Sequence, residues 1–349
     1  MTYFRDNIER MAGYVPGFQP KAADVVKLNT NENPYPPSPA VLTAVRNITV
    51  EQLRRYPDPV GTAFREAAGK LNGVPLEHIM CVNGGDELLS IALRAFCDQY
   101  RPLTYPVPTY SLYPVLAELE GCKTIEVPFD AEYNLPSSLA KTGAALTIIC
   151  NPNAPSGSLI SVDELASLAD ELKGKSVLLI DEAYVDFAPA NCVGLVKEFD
   201  NVIILRSLSK GYSLAGLRFG YAIAQPSLID GLMKVKDSYN VNAIAIAAAT
   251  VAINDQDYFK ANVEKVKAER TRITSELRKL SLVVPESFSN FVLAQCRNHT
   301  AEEVFNKLVQ RNIYVRYFKL PGIDDKLRIT IGTRQQNDML LAALKEILK

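Results

Sequence analysis

The chain has 349 residues, of which 48% are hydrophobic and 22% are charged, and its formal net charge at pH 7 is −1. This is an ordinary globular composition, and the length predicts one large domain and a smaller one. A charge so close to zero, without a dense Lys/Arg run, offers no electrostatic surface for nucleic acid. The longest apolar stretch, residues 243–253, is shorter than the ~20 residues of a membrane-spanning helix.

The six cysteines are scattered along the chain and include no C-x-x-C pair. Most of them lie in apolar runs, which predicts buried free thiols and therefore a reducing compartment. The first residues lack the charged-then-apolar order of a secretion signal, so we expect a cytoplasmic protein. The two histidines, His78 and His299, lie near no second type of metal-binding residue, which disfavours a zinc site or a histidine-based triad.

Proline and asparagine are frequent in the first part of the chain, as in residues 28–37 (LNTNENPYPP). Proline removes a backbone donor and restricts φ, so residues 1–40 are expected to form an extended arm with turns rather than helix. We assign residues 1–46 to this arm and to part of the small domain.

Between about residues 60 and 225, helical and strand patterns alternate. The predicted helices are 61–71, 86–98, 111–120 and 163–172, and the predicted strands are 123–127, 146–150, 177–181, 202–207 and 219–224. Uninterrupted Val, Ile and Leu strands between helices indicate a mostly parallel sheet that is covered on both faces. We therefore predict a large three-layer α/β/α domain over residues 47–255.

A long helical pattern rich in Lys, Arg and Glu covers residues 258–280, and its charged side is typical of a solvent-exposed helix face. A strand, a helix, two strands and a helix are predicted after it, at 291–295, 302–311, 314–317, 326–331 and 335–348. This order predicts a smaller α+β domain over residues 256–349.

Lys210 lies in the segment 207–212 (SLSKGY), directly after a predicted strand, and Asp181 ends the preceding strand. Because ligands of parallel sheets gather at the carboxyl ends of the strands, these two side chains should lie close together. A lysine at such an apolar strand end is dehydrated enough to react as a neutral amine. A carboxylate can hold a protonated pyridine nitrogen, and serines with Arg218 can hold a phosphate, which together suit pyridoxal phosphate.

Ser207 and Lys210 also match the S-x-x-K pair of penicillin-recognising enzymes, and a K-T-G triplet is present at residues 141–143. In those enzymes the S-x-x-K motif comes first and the K-T-G motif last. Here the order is reversed, which argues against this alternative. The chain also lacks a G-x-G-x-x-G or P-loop pattern, so dinucleotides and nucleoside triphosphates are disfavoured.

Three further segments follow predicted strands at the same edge of the sheet. In 82–87 (VNGGDE), glycines and a helix start suit a phosphate, although a tight turn capped by Asp86 is an equally good interpretation. Tyr110 opens a helix, where its ring can stack on a flat cofactor or pack in the core. Residues 151–157 (NPNAPSG) have the composition of a turn. Five such motifs at one edge strengthen the prediction of a cofactor site.

These segments together resemble the class I and II aminotransferases of the aspartate aminotransferase fold, and the resemblance extends from Tyr14 to about Leu348. It implies the fold type I of pyridoxal 5'-phosphate-dependent transferases.

The same resemblance implies a role for each matching residue. Lys210 would bind the cofactor covalently and transfer the substrate proton, Asp181 would hold the pyridine nitrogen and Tyr184 the phenolate oxygen, while Tyr110 would stack on the ring. The residues implied at the cofactor phosphate are Gly85, Asp86, Ser207, Ser209 and Arg218. Tyr56 would reach the cofactor phosphate of a neighbouring subunit, so the resemblance also implies a homodimer with shared active sites.

For the substrate, Arg328 in 327–330 (LRIT) matches the arginine that receives a carboxylate in this family. A guanidinium pairs equally well with a carboxylate or a phosphate. Arg316 and Tyr14 match positions around the substrate phosphate in one subfamily. The resemblance thus implies amino transfer between glutamate and a phosphorylated imidazole alcohol, in histidine biosynthesis.

The chain departs from the family pattern in two places. Ala154 stands where the family usually has an asparagine that bonds the phenolate oxygen of the cofactor. We expect Asn153 or Asn151 to compensate, or Tyr184 to act alone. Gly13 stands where a proline usually precedes Tyr14.

Three other interpretations are compatible with the same cofactor-site motifs. A threonine-phosphate decarboxylase of the same fold usually has an early His-Gly-Gly segment, which is absent here. An aromatic amino-acid aminotransferase is the second alternative. An inactive cofactor-binding module is the third, and the joint presence of Lys210, Asp181 and Arg218 argues against it.

Overall fold

The computed structural model describes residues 3–14, 17–20 and 25–349. Its helices are α1 (Asp6–Arg10), α2 (Pro39–Arg46), α3 (Val50–Arg54), α4 (Thr62–Asn72), α5 (Gly85–Phe96), α6 (Leu112–Glu120), α7 (Val162–Leu172), α8 (Leu195–Glu198), α9 (Pro226–Met233), α10 (Ala243–Asn254), α11 (Gln256–Lys279), α12 (Ala301–Val309) and α13 (Arg334–Ile347). Its strands are β1 (Val26–Lys27), β2 (Ile79–Val82), β3 (Leu103–Val107), β4 (Thr124–Pro128), β5 (Leu146–Cys150), β6 (Val177–Asp181), β7 (Val202–Ser207), β8 (Gly220–Ala224), β9 (Phe291–Gln295), β10 (Ile313–Tyr314), β11 (Arg316–Tyr317) and β12 (Lys326–Thr330).

Seven strands form one sheet in the order β2-β8-β7-β6-β5-β3-β4. Strands β4, β3, β5, β6 and β7 run parallel to one another, whereas β8 is antiparallel to both of its neighbours, β2 and β7. The prediction of a mostly parallel sheet is therefore confirmed. Strands β5, β6 and β7 have the predicted bounds, because each is an apolar run that suits a sheet buried on both faces.

Helices cover both faces of this sheet. Successive residues of β7 point to opposite faces: Ile204 packs in a cluster with Phe64 of α4 and Leu165 of α7, and Leu205 packs in a second cluster with Leu88 of α5. Helix α10 contributes to the first cluster, and α6 and α9 contribute to the second. The three-layer α/β/α arrangement is therefore as predicted.

A second, smaller unit of structure follows. Strands β11, β12 and β9 form an antiparallel sheet, while β1 pairs with β10 in parallel. Side chains of these strands and of α11, α12 and α13 share a third buried cluster, which also includes Val26 and Leu28. The predicted strand 314–317 is divided in two, because β10 pairs with β1 whereas β11 pairs with β12. The α+β character is as predicted.

Residues 6–10 are helical, so the expectation that residues 1–40 contain no helix is wrong. An acidic residue, Asp6, stands in the first turn of α1 and Arg10 in the last, which suits the helix dipole. Tertiary contacts hold the helix in place. Arg5 and Asn7 donate hydrogen bonds to backbone carbonyls at the end of α6, at 2.9 and 2.6 Å.

The carboxyl ends of β5, β6 and β7 lie side by side at one edge of the large sheet. Cys150 is paired in register with Asp181, and Asp181 with Leu205. Polar residues that follow these strands are therefore brought to the same place, as expected for a parallel sheet. Within the described ranges of the chain, no helix combines the length and the apolar character needed to span a membrane.

Candidate active site

A cavity of about 250 Å³ lies at this edge of the sheet. Most of the residues that the sequence singles out are at its wall: Tyr14, Gly85, Asp86, Tyr110, Asp181, Tyr184, Ser207, Ser209, Lys210, Arg218, Arg316 and Arg328. The predicted residues Tyr56 and Asn153 do not line it.

Lys210 follows the end of β7, and its side chain lies at the cavity wall. The Nζ atom donates to the backbone carbonyl of Thr30 at 3.3 Å and lies 5.7 Å from the centre of the Tyr184 ring. Burial and the positive charge of Arg328 together lower the pKa of Lys210 to about 8, against the opposing charge of Glu32. Near neutral pH a sizeable fraction of this amine is therefore uncharged and nucleophilic.

Asp181 ends β6 with a buried carboxylate. Its Oδ2 accepts a hydrogen bond from the hydroxyl of Tyr113 at 2.8 Å, and its Oδ1 accepts one from the backbone N–H of Ala183 at 3.1 Å. Burial raises the pKa of Asp181 to about 6, although both hydrogen bonds favour the charged form. A buried carboxylate with neutral donors alone is suited to receive a cation, such as a protonated ring nitrogen.

Tyr113 is a residue of this site that was not predicted from the sequence. It lies on α6, three residues after Tyr110, and the two rings meet edge to face with centroids 5.6 Å apart. A spacing of three residues across the turn before α6, in which the N–H of Tyr113 donates to the carbonyl of Tyr110 at 3.2 Å, brings the two side chains together. That spacing was the only available signal, because the partner Asp181 is 68 residues away.

Replacing Tyr113 with Phe is expected to raise the pKa of Asp181 above its value of about 6 in the cofactor-free protein. The buried carboxylate loses one neutral donor, which is expected to shift the pKa by about one unit. An NMR titration of ¹³C-labelled aspartate carboxyl groups measures the change. Tyr105→Phe is the matched control, since the hydroxyl of Tyr105 donates to Glu126 instead. An equal pKa of Asp181 in wild type and Tyr113→Phe would contradict this role of Tyr113.

Tyr184 is buried beside Lys210. Its hydroxyl oxygen accepts a hydrogen bond from the side-chain amide of Asn31 at 3.0 Å. Burial raises the pKa of Tyr184 to about 12, against the charge of Arg328 and the hydrogen bond from Asn31. The phenol therefore keeps its hydrogen at neutral pH and can donate it to a ligand oxygen.

Residues at the start of α5 and after β7 form the polar end of the cavity. Gly84 has φ 83°, and a Cβ atom there would lie 2.7 Å from the Arg218 guanidinium, so this approach requires glycine. Arg218 pairs with the Asp86 carboxylate at 3.2 Å. Backbone N–H groups at the helix start, Ser207, Ser209 and this guanidinium make a donor set that suits a phosphate. A phosphate there would be met by the backbone N–H of Asp86, since the carboxylate would repel it.

Tyr110 lies between the polar end and Asp181. Its hydroxyl donates to Asp86 at 3.3 Å, and its ring meets Tyr14 edge to face with centroids 6.2 Å apart. Tyr110 lines the cavity, where its ring can stack on an aromatic ligand.

Two guanidiniums define the opposite wall. Arg316 of β11 and Arg328 of β12 are directly paired across the two strands, and both lie 5.3 Å from the centre of the Phe318 ring. Arg328 donates to the backbone carbonyl of Asn29 at 3.0 Å, but its buried Nε atom has no hydrogen-bond partner among the residues that the structure describes. A buried unpaired donor on a cation indicates a site for an anion. Phe318 was missed by the sequence analysis.

The turn after β5 does not supply the expected amide. Ala154 lines the cavity with a methyl group. The amide of Asn153 donates to Pro108 and Ser156 and accepts from Thr109. The side-chain amide of Asn151 donates to the backbone carbonyl of Ile160 and accepts from the backbone N–H of the same residue. Both asparagines are therefore engaged away from the cavity.

Tyr56 lies outside the cavity on the surface. Its side chain is 80% exposed, and its ring stacks on Tyr239 with centroids 4.4 Å apart. Val50 and Leu53 of the neighbouring α3 are 76% and 63% exposed. Large apolar side chains exposed together on one surface are typical of a protein interface.

A family model described as aminotransferase class I and II matches residues 23–344. Histidinol-phosphate aminotransferase 1 of Trichormus variabilis is 50% identical over 350 residues, covering 100% of this chain and 99% of that protein. The histidinol-phosphate aminotransferase of Geotalea uraniireducens is 42% identical, covering 99% of this chain and 100% of that protein.

Among solved structures, the histidinol-phosphate aminotransferase of Sinorhizobium meliloti in complex with pyridoxal-5'-phosphate has a TM-score of 0.91 and 26% identity, covering 100% of this chain and 98% of that chain. L-threonine-O-3-phosphate decarboxylase of Porphyromonas gingivalis has a TM-score of 0.82 at 22% identity, covering 92% of this chain and 98% of that chain, which shows the shared fold alone. The family model covers nearly all of the chain, and the relatives match it from end to end. The chain therefore belongs to the class I and II aminotransferase family.

Proposed function

We propose that this chain is a pyridoxal-phosphate-dependent enzyme of histidine biosynthesis that transfers the amino group of histidinol phosphate to 2-oxoglutarate, giving imidazole acetol phosphate and glutamate, in either direction. The observation that carries the proposal is one cavity in which a lysine of lowered pKa, a buried carboxylate and three guanidiniums converge. The end-to-end identity of 50% to a histidinol-phosphate aminotransferase supports this substrate.

The residues at the cavity wall fit pyridoxal phosphate at each of its polar groups. Asp181 would hold the ring nitrogen, Tyr184 the phenolate oxygen and Arg218 the phosphate, with Ser207, Ser209 and the start of α5. Tyr110 would stack on the ring. When bound, the cofactor accepts the electron pair that remains when the substrate loses its α-proton.

Lys210 then has two functions in the proposed mechanism. Its neutral amine would hold the cofactor covalently, and the same amine would move the proton at the α-carbon of the substrate. Arg328 binds the carboxylate of glutamate, while Arg316 and Tyr14 bind the phosphate of the other substrate. One site thus accepts two different anionic substrates in turn, in a ping-pong sequence.

A comparison of amino donors tests the proposal. Histidinol phosphate, phenylalanine and tyrosine are each offered with 2-oxoglutarate, and glutamate formation is measured. Histidinol phosphate is expected to give the highest kcat/KM, and Arg316→Met to reduce that value by about 10- to 100-fold, as for a lost charge-assisted hydrogen bond. Equal or better rates with the aromatic amino acids would favour an aromatic amino-acid aminotransferase. Release of CO₂ from threonine phosphate would favour the decarboxylase.

Covalent attachment of pyridoxal phosphate to the cofactor-free protein is expected to accelerate with pH up to about 8 and then to level off. The uncharged amine is the reactive form, and the pKa of Lys210 is lowered to about 8 from 10.5. Stopped-flow absorbance between pH 6 and pH 10 measures the rate. Arg328→Met removes a positive charge that lowers this pKa, so the plateau should begin at a higher pH. A rate that rises steadily to pH 10 in the wild type would contradict the lowered pKa.

We infer a homodimer in which each subunit completes the active site of the other. The exposed surface of α3, Tyr56 and Tyr239 supports this inference, because Tyr56 is exposed and does not line the cavity of its own chain. The burial of all six cysteines as free thiols supports a reducing, cytoplasmic location. We propose the division into residues 1–46, 47–255 and 256–349, which the packing of Val26 and Leu28 in the small domain supports, whereas Val41 of α2 packs in the cluster of the large domain.

Mixing two variants of low activity tests whether the active sites are shared between subunits. Lys210→Ala and Tyr56→Ala are each expected to be weak as homodimers. After unfolding and refolding together, half of the dimers should be mixed, and one of the two sites in each mixed dimer has both native residues. Activity should then return to about a quarter of the wild-type value. If each subunit formed its site alone, the mixture would have no more activity than the average of the two variants.

A further inference from the structure

Asn31 lies in the segment between β1 and α2, at the wall of the cavity. Its side chain is buried, and its amide nitrogen donates to the hydroxyl oxygen of Tyr184 at 3.0 Å. The backbone of Asn31 has φ 57°, a left-handed conformation that asparagine tolerates better than most residues. In this conformation the side chain of Asn31 lies at the cavity wall, beside Tyr184.

The small domain fixes which end of the amide faces Tyr184. The hydroxyl of Thr330 accepts a hydrogen bond from the backbone N–H of Asn31 and donates to its side-chain oxygen, both at 3.0 Å. The amide of Asn290 donates to the backbone carbonyl of Asn31 at 2.9 Å. Since the side-chain oxygen is already paired with Thr330, the NH₂ group must face Tyr184.

This contact determines the direction of the Tyr184 hydrogen. A phenol oxygen carries one hydrogen, and here the oxygen accepts on the side of Asn31, so its own hydrogen must point elsewhere. Tyr184 lines the cavity. The hydrogen is therefore available to an acceptor bound there, which in the proposed function is the phenolate oxygen of the cofactor.

The direction of this hydrogen matters more here because a second donor is missing. Ala154 has no polar side-chain atom, and Asn151 and Asn153 are engaged with other partners. At this end of the cavity Tyr184 would therefore serve the cofactor oxygen without a second side-chain donor from the turn after β5.

We propose that Asn31 is a positioning residue that orients the hydroxyl of Tyr184 toward the cofactor and so offsets the missing amide at Ala154. The inference rests on the proposed function, because the acceptor is the bound cofactor. A hydrogen bond to the phenolate oxygen withdraws negative charge, and this lets the nearby nitrogen that Lys210 contributes lose its proton at lower pH.

The test is a pH titration of the visible absorbance of the purified, cofactor-loaded protein. Asn31→Ala is expected to raise the midpoint by about one pH unit, as for loss of one well-directed hydrogen bond. Asn31→Asp should raise it further, because a carboxylate accepts from Tyr184 and turns the hydrogen away from the cavity. Asn31→Ala combined with Tyr184→Phe should titrate like Tyr184→Phe alone.

Two further variants keep the proposal testable if the Asn31 variants fold poorly. Ala154→Asn restores the amide, so it is expected to lower the midpoint in the wild-type background and to recover most of the shift caused by Asn31→Ala. Thr330→Val leaves Asn31 in place but releases its amide, and should raise the midpoint partway. Asn134→Ala is the matched control, since that amide donates to Asp130 on the surface, and the midpoint should not change.

An unchanged midpoint in Asn31→Ala, with normal visible absorbance, would overturn the inference and leave the proposed function intact. An unchanged midpoint in Ala154→Asn would overturn it as well, because Tyr184 would then not be the sole donor. A wild-type protein that gains no visible absorbance with pyridoxal phosphate would overturn the proposed function and the inference with it.

Discussion

Lys210→Ala is expected to reduce transamination by at least about 10³-fold, since the loss of a positioned general base alone costs about 10²- to 10⁴-fold. The covalent attachment of the cofactor is lost as well, so the variant should not show the visible absorbance of the lysine-bound cofactor. The amine of Lys210 lies at the cavity wall, beside Tyr184 and the carbonyl of Thr30. Single-turnover absorbance with histidinol phosphate measures the chemical step directly.

Lys175→Ala is the matched control for this variant, because its amine only donates to the carbonyl of Glu171 on the surface. Its rate and absorbance should equal those of the wild type. Adding a small primary amine to Lys210→Ala should recover part of the proton transfer, since the free amine replaces the base without the tether. Full activity of Lys210→Ala would refute the proposed mechanism.

Much of this architecture is predictable because it depends on local patterns. Strands β5, β6, β7 and β9 have the predicted bounds, since each is an apolar run between turn residues. The parallel sheet then brings Asp181 and Ser207 to one edge, so their proximity needed no knowledge of side-chain packing.

The contacts that tune the site were not predictable in this way. Tyr113 meets Asp181 across 68 residues, and Asn31 meets Thr330 across 299. Whether a buried polar side chain bonds to a ligand or to its neighbours depends on tertiary packing, which the local sequence does not encode. Asn153 illustrates this limit: its sequence context suggested a cofactor contact, and its amide instead donates to Pro108 and Ser156.

The electrostatic arrangement explains why these residues have to be gathered in one buried cavity. Burial moves the pKa of Lys210 down to about 8 and that of Asp181 up to about 6, so both groups change charge within two pH units of neutrality. Arg328 reinforces the shift at Lys210. Opposite shifts of two groups in one cavity are typical of a site that transfers protons at neutral pH.

Asp181→Asn is the variant with the second large expected effect, a loss of about 10²- to 10³-fold in kcat, comparable to the removal of one preorganised electrostatic contact. An amide has no negative charge to keep the ring nitrogen protonated, so the substrate proton becomes less acidic. Asp186→Asn is the matched control: burial also raises the pKa of Asp186 to about 6, but this residue does not line the active-site cavity. Its kcat should be close to that of the wild type.

Asp181→Asn, which lowers kcat, should increase the stability of the cofactor-free protein. The folded-state pKa of Asp181 is raised from 3.8 to about 6, so between these values the folded state binds more protons and stability falls as pH rises. Above about pH 6 the charged carboxylate therefore costs up to roughly 3 kcal/mol, and Asp181→Asn removes this cost. Without cofactor the variant should unfold at a higher temperature than the wild type at pH 8, and at a similar temperature near pH 4. If the variant were less stable at pH 8, the buried charge would not be the penalty that the cofactor relieves.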